Sequence, residues 1–103
     1  MDYERLSAVL SMMASQPRLQ LVGVLRSHGQ ATSVVRLAEL TGMPRLTASY
    51  HLKLLRGAGI VRAQRDGNSL LHTLCAESLA IVEDWLYPLV TEDAESSATG
   101  AAG

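Results

Sequence analysis

Apolar residues recur at helical spacing through most of the chain. Leu6, Val9, Leu10 and Met13 predict a first helix over about Glu4 to Ala14. A second helix begins near Pro17, whose missing N–H costs nothing in a first turn. It carries Leu21, Val22, Val24 and Leu25 to a stop at Ser27-His28-Gly29. Thr32 or Ser33 caps a short third helix from Val34 to Leu40, ended by Thr41-Gly42. Pro44 opens a fourth helix that continues to Arg56 and ends at Gly57-Ala58-Gly59. Ile60 to Arg65 then reads as a strand, Asp66-Gly67 as a tight hairpin turn, and Leu70 to Leu74 as the returning strand. A last helix spans about Glu77 to Val90, with Leu79, Val82, Leu86 and Leu89 on one stripe and Ile81 and Trp85 beside it. Pro88 is expected to kink or fray its final turn. The fold class is therefore mainly α with a small β-hairpin, in one domain over 1–91. From Glu92 the small and acidic composition predicts a disordered tail over 92–103.

Two helices joined by a tight turn and followed by a hairpin form a helix-turn-helix with a wing. At 100° per residue, Ala48, Leu52 and Leu55 of the fourth helix fall together and should pack inward. Leu46, Ser49, Tyr50 and Lys53 fall on the opposite side, with Arg45 and Thr47 near the helix start. That face suits a major groove. Lys53 can reach phosphate, and Arg45 can pair with guanine through two parallel hydrogen bonds. Ser49 and Tyr50 can bond base edges or phosphate, and Leu46 can touch a thymine methyl. In the wing, Arg62 and Arg65 are expected to straddle the duplex backbone, with Asn68 and Ser69 near the tip. His51 sits at the flank of the buried side, where a hydrogen-bonded core-edge histidine is expected.

The formal net charge of −1 argues against nucleic acid only until its distribution is considered. Between Arg36 and Arg65 stand Arg36, Arg45, Lys53, Arg56, Arg62 and Arg65 against Glu39 alone, while Glu83, Asp84, Glu92, Asp93 and Glu95 collect near the end. A basic middle in a neutral chain is either a local phosphate-binding surface or an ordinary solvated face. The chain has 103 residues, of which 48% are hydrophobic, enough for one core, though a domain this small gains from a partner. The single cysteine, Cys75, cannot form a disulfide within the chain, which fits a reducing compartment. With no secretory signal and no run near the ~20 apolar residues of a membrane helix, the expected location is the cytoplasm. No Gly-rich phosphate loop or nucleophile–base motif suggests an enzyme.

Pro17-Arg18-Leu19, Leu37-Ala38 and Ala48-Ser49-Tyr50-His51-Leu52-Lys53-Leu54-Leu55, followed by Gly57-Ala58-Gly59-Ile60-Val61, resemble the ArsR/SmtB family of bacterial repressors over about Leu10 to Leu74. The resemblance implies a winged helix-turn-helix homodimer joined through the first and last helices. It also implies a palindromic double-stranded DNA operator and release when an effector binds. The apolar terminal helices independently call for a partner, and a two-fold dimer can set two recognition helices one turn (~34 Å) apart.

The family is best known for metal sensing, and here the chain departs from it. Where such sensors place Cys-Val-Cys-Asp-Leu in the third helix, this chain has Ser33-Val34-Val35-Arg36-Leu37, and no histidine follows Cys75. One thiolate per chain cannot supply a soft-metal site. An unconventional site drawing on His28, His51, His72, Cys75, Glu83, Asp84 and the methionines across a dimer is the remaining metal option, and no cofactor is expected. His72 and Cys75 point to opposite faces if the strand continues, which makes them a poor pair. Cys75 is read as a packing residue, with single oxidation of its thiol as the alternative. The family often has Ser where Pro44 stands, so the start of the recognition helix is expected to differ. A separate effector-sensing protein partner is a further option, and a winged helix used for protein docking is the alternative to DNA binding.

Overall fold

The structure, a computed structural model, describes the backbone of residues 1–100 and the side chains of residues 1–91. Helix α1 (Tyr3–Met13) starts where the Asp2 carboxylate accepts a hydrogen bond from the Arg5 N–H at 3.0 Å. Helix α2 (Gln16–His28) has Pro17 in its first turn and Arg26 in its last, where a cation complements the helix dipole. Strand β1 (Thr32–Ser33) leads directly into α3 (Val34–Thr41). Ser33, not Thr32, caps α3: its Oγ accepts from the Arg36 N–H at 3.2 Å. Helix α4 (Arg45–Gly57) and strands β2 (Val61–Asp66) and β3 (Ser69–Leu74) follow, then α5 (Ala76–Gly100).

Two features differ from the sequence-based expectation. The hairpin is joined by β1 into a three-stranded antiparallel sheet of order β1-β3-β2, with Thr32 opposite His72 and Ser33 opposite Leu71. A two-residue strand is too short to show any alternation, so its pattern is invisible along the chain. The last helix also continues through Pro88 and past Val90 to Gly100, so no helix end coincides with the boundary expected near 91. The run Glu92-Asp93-Ala94-Glu95 contains good helix formers, which suffices to extend an existing helix. The last part of the expected tail, 101–103, lies outside the described residues.

The core gathers Val9 of α1, Leu21 and Leu25 of α2, Leu37 and Ala38 of α3, Ala48, Leu52 and Leu55 of α4, and Ile60 and Val61 at the root of the wing. Each large side chain among these contributes about 1.5–3 kcal/mol by leaving water. Leu79, Ile81 and Val82 of α5 close the core from the other side. The Cys75 N–H donates to the Ile60 carbonyl at 2.9 Å, tying the end of the hairpin to its beginning. Helices α1 and α5 pack on each other at one edge, away from the α3–α4 face.

Candidate nucleic-acid interface

The turn between α3 and α4 is set by Gly42, which has φ 74°, a conformation that strains any residue with a Cβ. The Gly42 and Met43 N–H groups both donate to the Ala38 carbonyl, and Thr41 Oγ donates to the Leu37 carbonyl at 2.7 Å. These bonds satisfy the end of α3 and redirect the chain. Helix α4 is then fixed in rotation by Ala48, Leu52 and Leu55, all fully buried. Its opposite face is consequently outward: Arg45, Leu46, Ser49, Tyr50 and Lys53 are exposed, and Thr47 is half-buried at the flank. Leu46 is 86% exposed, the largest value among the exposed large apolar side chains. It adds nothing to the packing of the monomer.

Pro44 caps α4 without a side-chain hydrogen bond, and the first turn holds no acidic residue. The Pro44 carbonyl accepts from the Ala48 N–H at 3.0 Å, so the helix begins at Arg45. Its first amides lie at the positive end of the helix dipole, in the same turn as Arg45. The ion pair found among the described residues joins Arg36 to Glu39 at 3.2 Å. Arg45, Lys53, Arg62 and Arg65 have no carboxylate within that reach among the described residues.

The wing carries its two arginines on opposite faces of β2. In β2, Val61, Ala63 and Arg65 point to one face and Arg62 and Gln64 to the other, because alternate residues share a face. Val61 is buried against the core, so Arg65 lies on the side of α4 and Arg62 on the far side, opposite Thr73. Asn68 is exposed at the turn.

The histidines also depart from expectation. His51 is half-buried, but its Nδ1 has no hydrogen-bond partner among the described residues; the ring packs edge-on against Tyr50 with centroids 5.1 Å apart. His72, considered above as a metal ligand, is fully buried with both nitrogens engaged. Its Nδ1–H donates to the Thr32 carbonyl at 3.3 Å, and its Nε2 accepts from Arg56 Nη1 at 2.9 Å. Burial lowers the pKa of His72 below its ordinary 6.5; the hydrogen bond to the Thr32 backbone opposes this, the Arg56 charge adds to the lowering by less, and a backbone hydrogen bond at Leu70 opposes it least. The hydrogen-bonded link from Arg56 through His72 to Thr32 was not visible along the sequence. Among the described residues, no group of three or more His, Cys, Asp or Glu side chains is placed to hold a metal ion.

On the α1–α5 edge, Tyr3, Leu6, Leu10, Ala14 and Trp85 line an apolar groove of about 670 Å³. Leu86, Tyr87, Leu89 and Val90 of α5 are exposed beyond it. No helix among the described residues is long and apolar enough to cross a membrane.

A buried α3–turn–α4 unit with an outward polar face, followed by a hairpin, defines a winged helix-turn-helix protein. A family model described as a helix-turn-helix domain matches residues 13–64. The chain is 30% identical over 76 residues to the HTH-type transcriptional regulator YgaV of Escherichia coli K12, covering 74% of this chain and 76% of that protein. It is 38% identical over 66 residues to the HTH-type transcriptional regulator KmtR of Mycobacterium tuberculosis, covering 64% of this chain and 49% of that one. The solution structure of a homodimeric winged helix-turn-helix DNA-binding domain from Mycobacterium bovis, "a possible ArsR-family transcriptional regulator", superimposes with TM-score 0.69 at 27% identity, covering 90% of this chain and 84% of that one. The chain belongs to this helix-turn-helix family and is an ArsR-like winged helix-turn-helix transcriptional regulator, not an enzyme.

Proposed function

We propose that the chain acts as a cytoplasmic homodimeric repressor, binding a palindromic operator through α4 and the wing and leaving it when an effector binds. The observation that carries this reading is the outward face of α4. Its cations Arg45 and Lys53 are unpaired among the described residues, its Leu46 has no packing role, and its orientation is dictated by a fully buried opposite face. In this reading Arg45 and Leu46 meet base edges, with Thr47 at their flank. Ser49 and Tyr50 bond bases or phosphate, and Lys53 holds phosphate. The uncapped start of α4 favours a phosphate as well. Arg65, on the α4 side of the wing, and Asn68 at its tip are better placed than Arg62 to position the backbone.

The homodimer is supported by the apolar α1–α5 groove, the exposed leucines beyond it and the homodimeric state of the similar M. bovis domain. A second copy of this edge would cover both. The effector is an organic ligand, an unconventional metal site or a sensing protein partner; with one cysteine per chain, a thiolate cluster is not among the options.

The test is a titration of the purified protein against a labelled duplex from its own upstream region and against unrelated DNA, at two salt concentrations. Selective, salt-sensitive binding is expected. Equal weak binding to both duplexes would place the target elsewhere, and no binding at low salt would favour a protein-docking module.

A further inference from the structure

We propose that His72 is a positioning residue for DNA binding: its neutral ring ties the end of the recognition helix to the wing, so that acidification loosens the grip on DNA. This inference rests on the DNA-binding reading above. The tie runs through three elements. Thr32 of β1 lies opposite His72 of β3 in the sheet and its carbonyl accepts a hydrogen bond from Nδ1–H; Arg56, in the last turn of α4, donates to Nε2. Thr32 is itself held by its own side chain, whose Oγ donates to the Gln30 carbonyl at 2.7 Å. One buried imidazole thus connects the strand preceding α3, the wing, and the helix that carries the DNA-facing residues.

The tie depends on the protonation state. With the proton on Nδ1, Nε2 is an acceptor and the Arg56 guanidinium is a matched donor. A second proton on Nε2 leaves two buried donors and two positive charges at 2.9 Å, with no acceptor between them. The charges around the ring do not offset this. From α4, the facing charge is Arg56. On β1 and β2 the sheet partners are Thr32 and Ala63, which are neutral; Arg65 shares the Ala63 face of β2 and adds another positive charge, while Arg62 points to the other face with Thr73. Arg26 of α2 lines a surface cleft with Thr73 and Leu74, and Arg36 and Glu39 of α3 are exposed and pair with each other. A protonated His72 therefore pushes Arg56 away and frees the end of α4 from the wing.

The sign separates this effect from ordinary electrostatics. Positive charge added on a protein surface strengthens binding to a polyanion. Loss of affinity on acidification is the opposite outcome and requires a change in how the reading elements are held.

The experiment measures affinity for a duplex that wild type binds selectively at pH 7.5, between about pH 7.5 and 5.0, for wild type, His72→Gln and His72→Asn. Gln keeps an acceptor for Arg56 and Asn a donor for the Thr32 carbonyl, and neither titrates. Wild type is expected to weaken by at least about fivefold below pH 6.5, within the limit of tenfold per pH unit for each linked proton. His72→Gln should stay flat or tighten, and His72→Asn, lacking the Arg56 tie, should bind weakly at every pH. Circular dichroism checks that the fold persists at the lowest pH. On wild type alone, ¹⁵N shifts of the three histidines should show His72 as the Nδ1–H tautomer, titrating with DNA release. This second readout holds even where the variants fail to fold. Binding at pH 7.5 that weakens equally in His72→Gln, or an Nε2–H tautomer, overturns the role of His72 and leaves the DNA-binding reading intact. No duplex binding by wild type at pH 7.5 overturns both.

Discussion

Replacing Lys53 with alanine isolates the electrostatic part of the proposed interface. Lys53 is exposed on the outward face of α4 and has no carboxylate within salt-bridge distance among the described residues. Its removal leaves the core intact, so stability should stay within about 0.5 kcal/mol of wild type. Each phosphate neutralised by a protein cation contributes about 0.9 to the slope of log affinity against log salt. A dimer presents Lys53 twice, and the variant should therefore flatten that slope by roughly 1.8. Between roughly 50 and 200 mM salt this amounts to about a twelvefold difference, by which the variant's deficit shrinks. Fluorescence anisotropy at several salt concentrations, with specific and unrelated duplexes, measures it. Both duplexes should respond alike, because phosphate carries no sequence information, whereas Arg45→Ala should chiefly erase the difference between them. Equal slopes for wild type and Lys53→Ala would refute the phosphate contact, and a loss confined to the specific duplex would make Lys53 a base reader instead.

Other predictions test the scaffold. Gly42→Ala should lower stability by about 1–2 kcal/mol, seen as a lower melting temperature, since φ 74° is strained for alanine; an unchanged melt would mean that the turn can relax. Leu86→Glu, at a side chain 45% exposed in the monomer, should leave the fold intact by circular dichroism. It should weaken dimerisation by roughly 3 kcal/mol over two copies, about a hundredfold in sedimentation equilibrium, and an unchanged dimer would place the interface elsewhere. His72 has its pKa lowered in the folded state, so its contribution to stability is complete above about pH 6.5 and declines below it. The decline is up to about 1.4 kcal/mol per pH unit until the folded group titrates, and urea midpoints that fall equally in His72→Gln would contradict it.

The sequence carried what depends on local spacing. Ala48, Leu52 and Leu55 read as an inward stripe and are fully buried, and the face opposite them is the exposed one. Gly42 and Gly29 stop their helices as read, each with positive φ. The opposite orientations of Arg62 and Arg65 were also legible, since three residues along a strand is an odd step. What was not legible depends on distant pairing. His72 becomes the centre of a network only because β1 meets β3 forty residues away and Arg56 arrives from sixteen residues away. Nothing next to His72 in the chain signals either contact. His51 illustrates the reverse: its place at the flank of α4 followed from the helical projection, but the expected hydrogen bond did not, because the ring meets Tyr50 instead.

The central claim, a homodimer reading DNA through two copies of α4, is tested most directly by selecting duplexes from a random pool with the purified protein and sequencing those retained. The expected result is a palindrome whose half-sites are centred about 10–10.5 bp apart, or a multiple of this, and whose enrichment disappears with Arg45→Ala. Retention without an enriched sequence, or a single half-site with no symmetric partner, would contradict it.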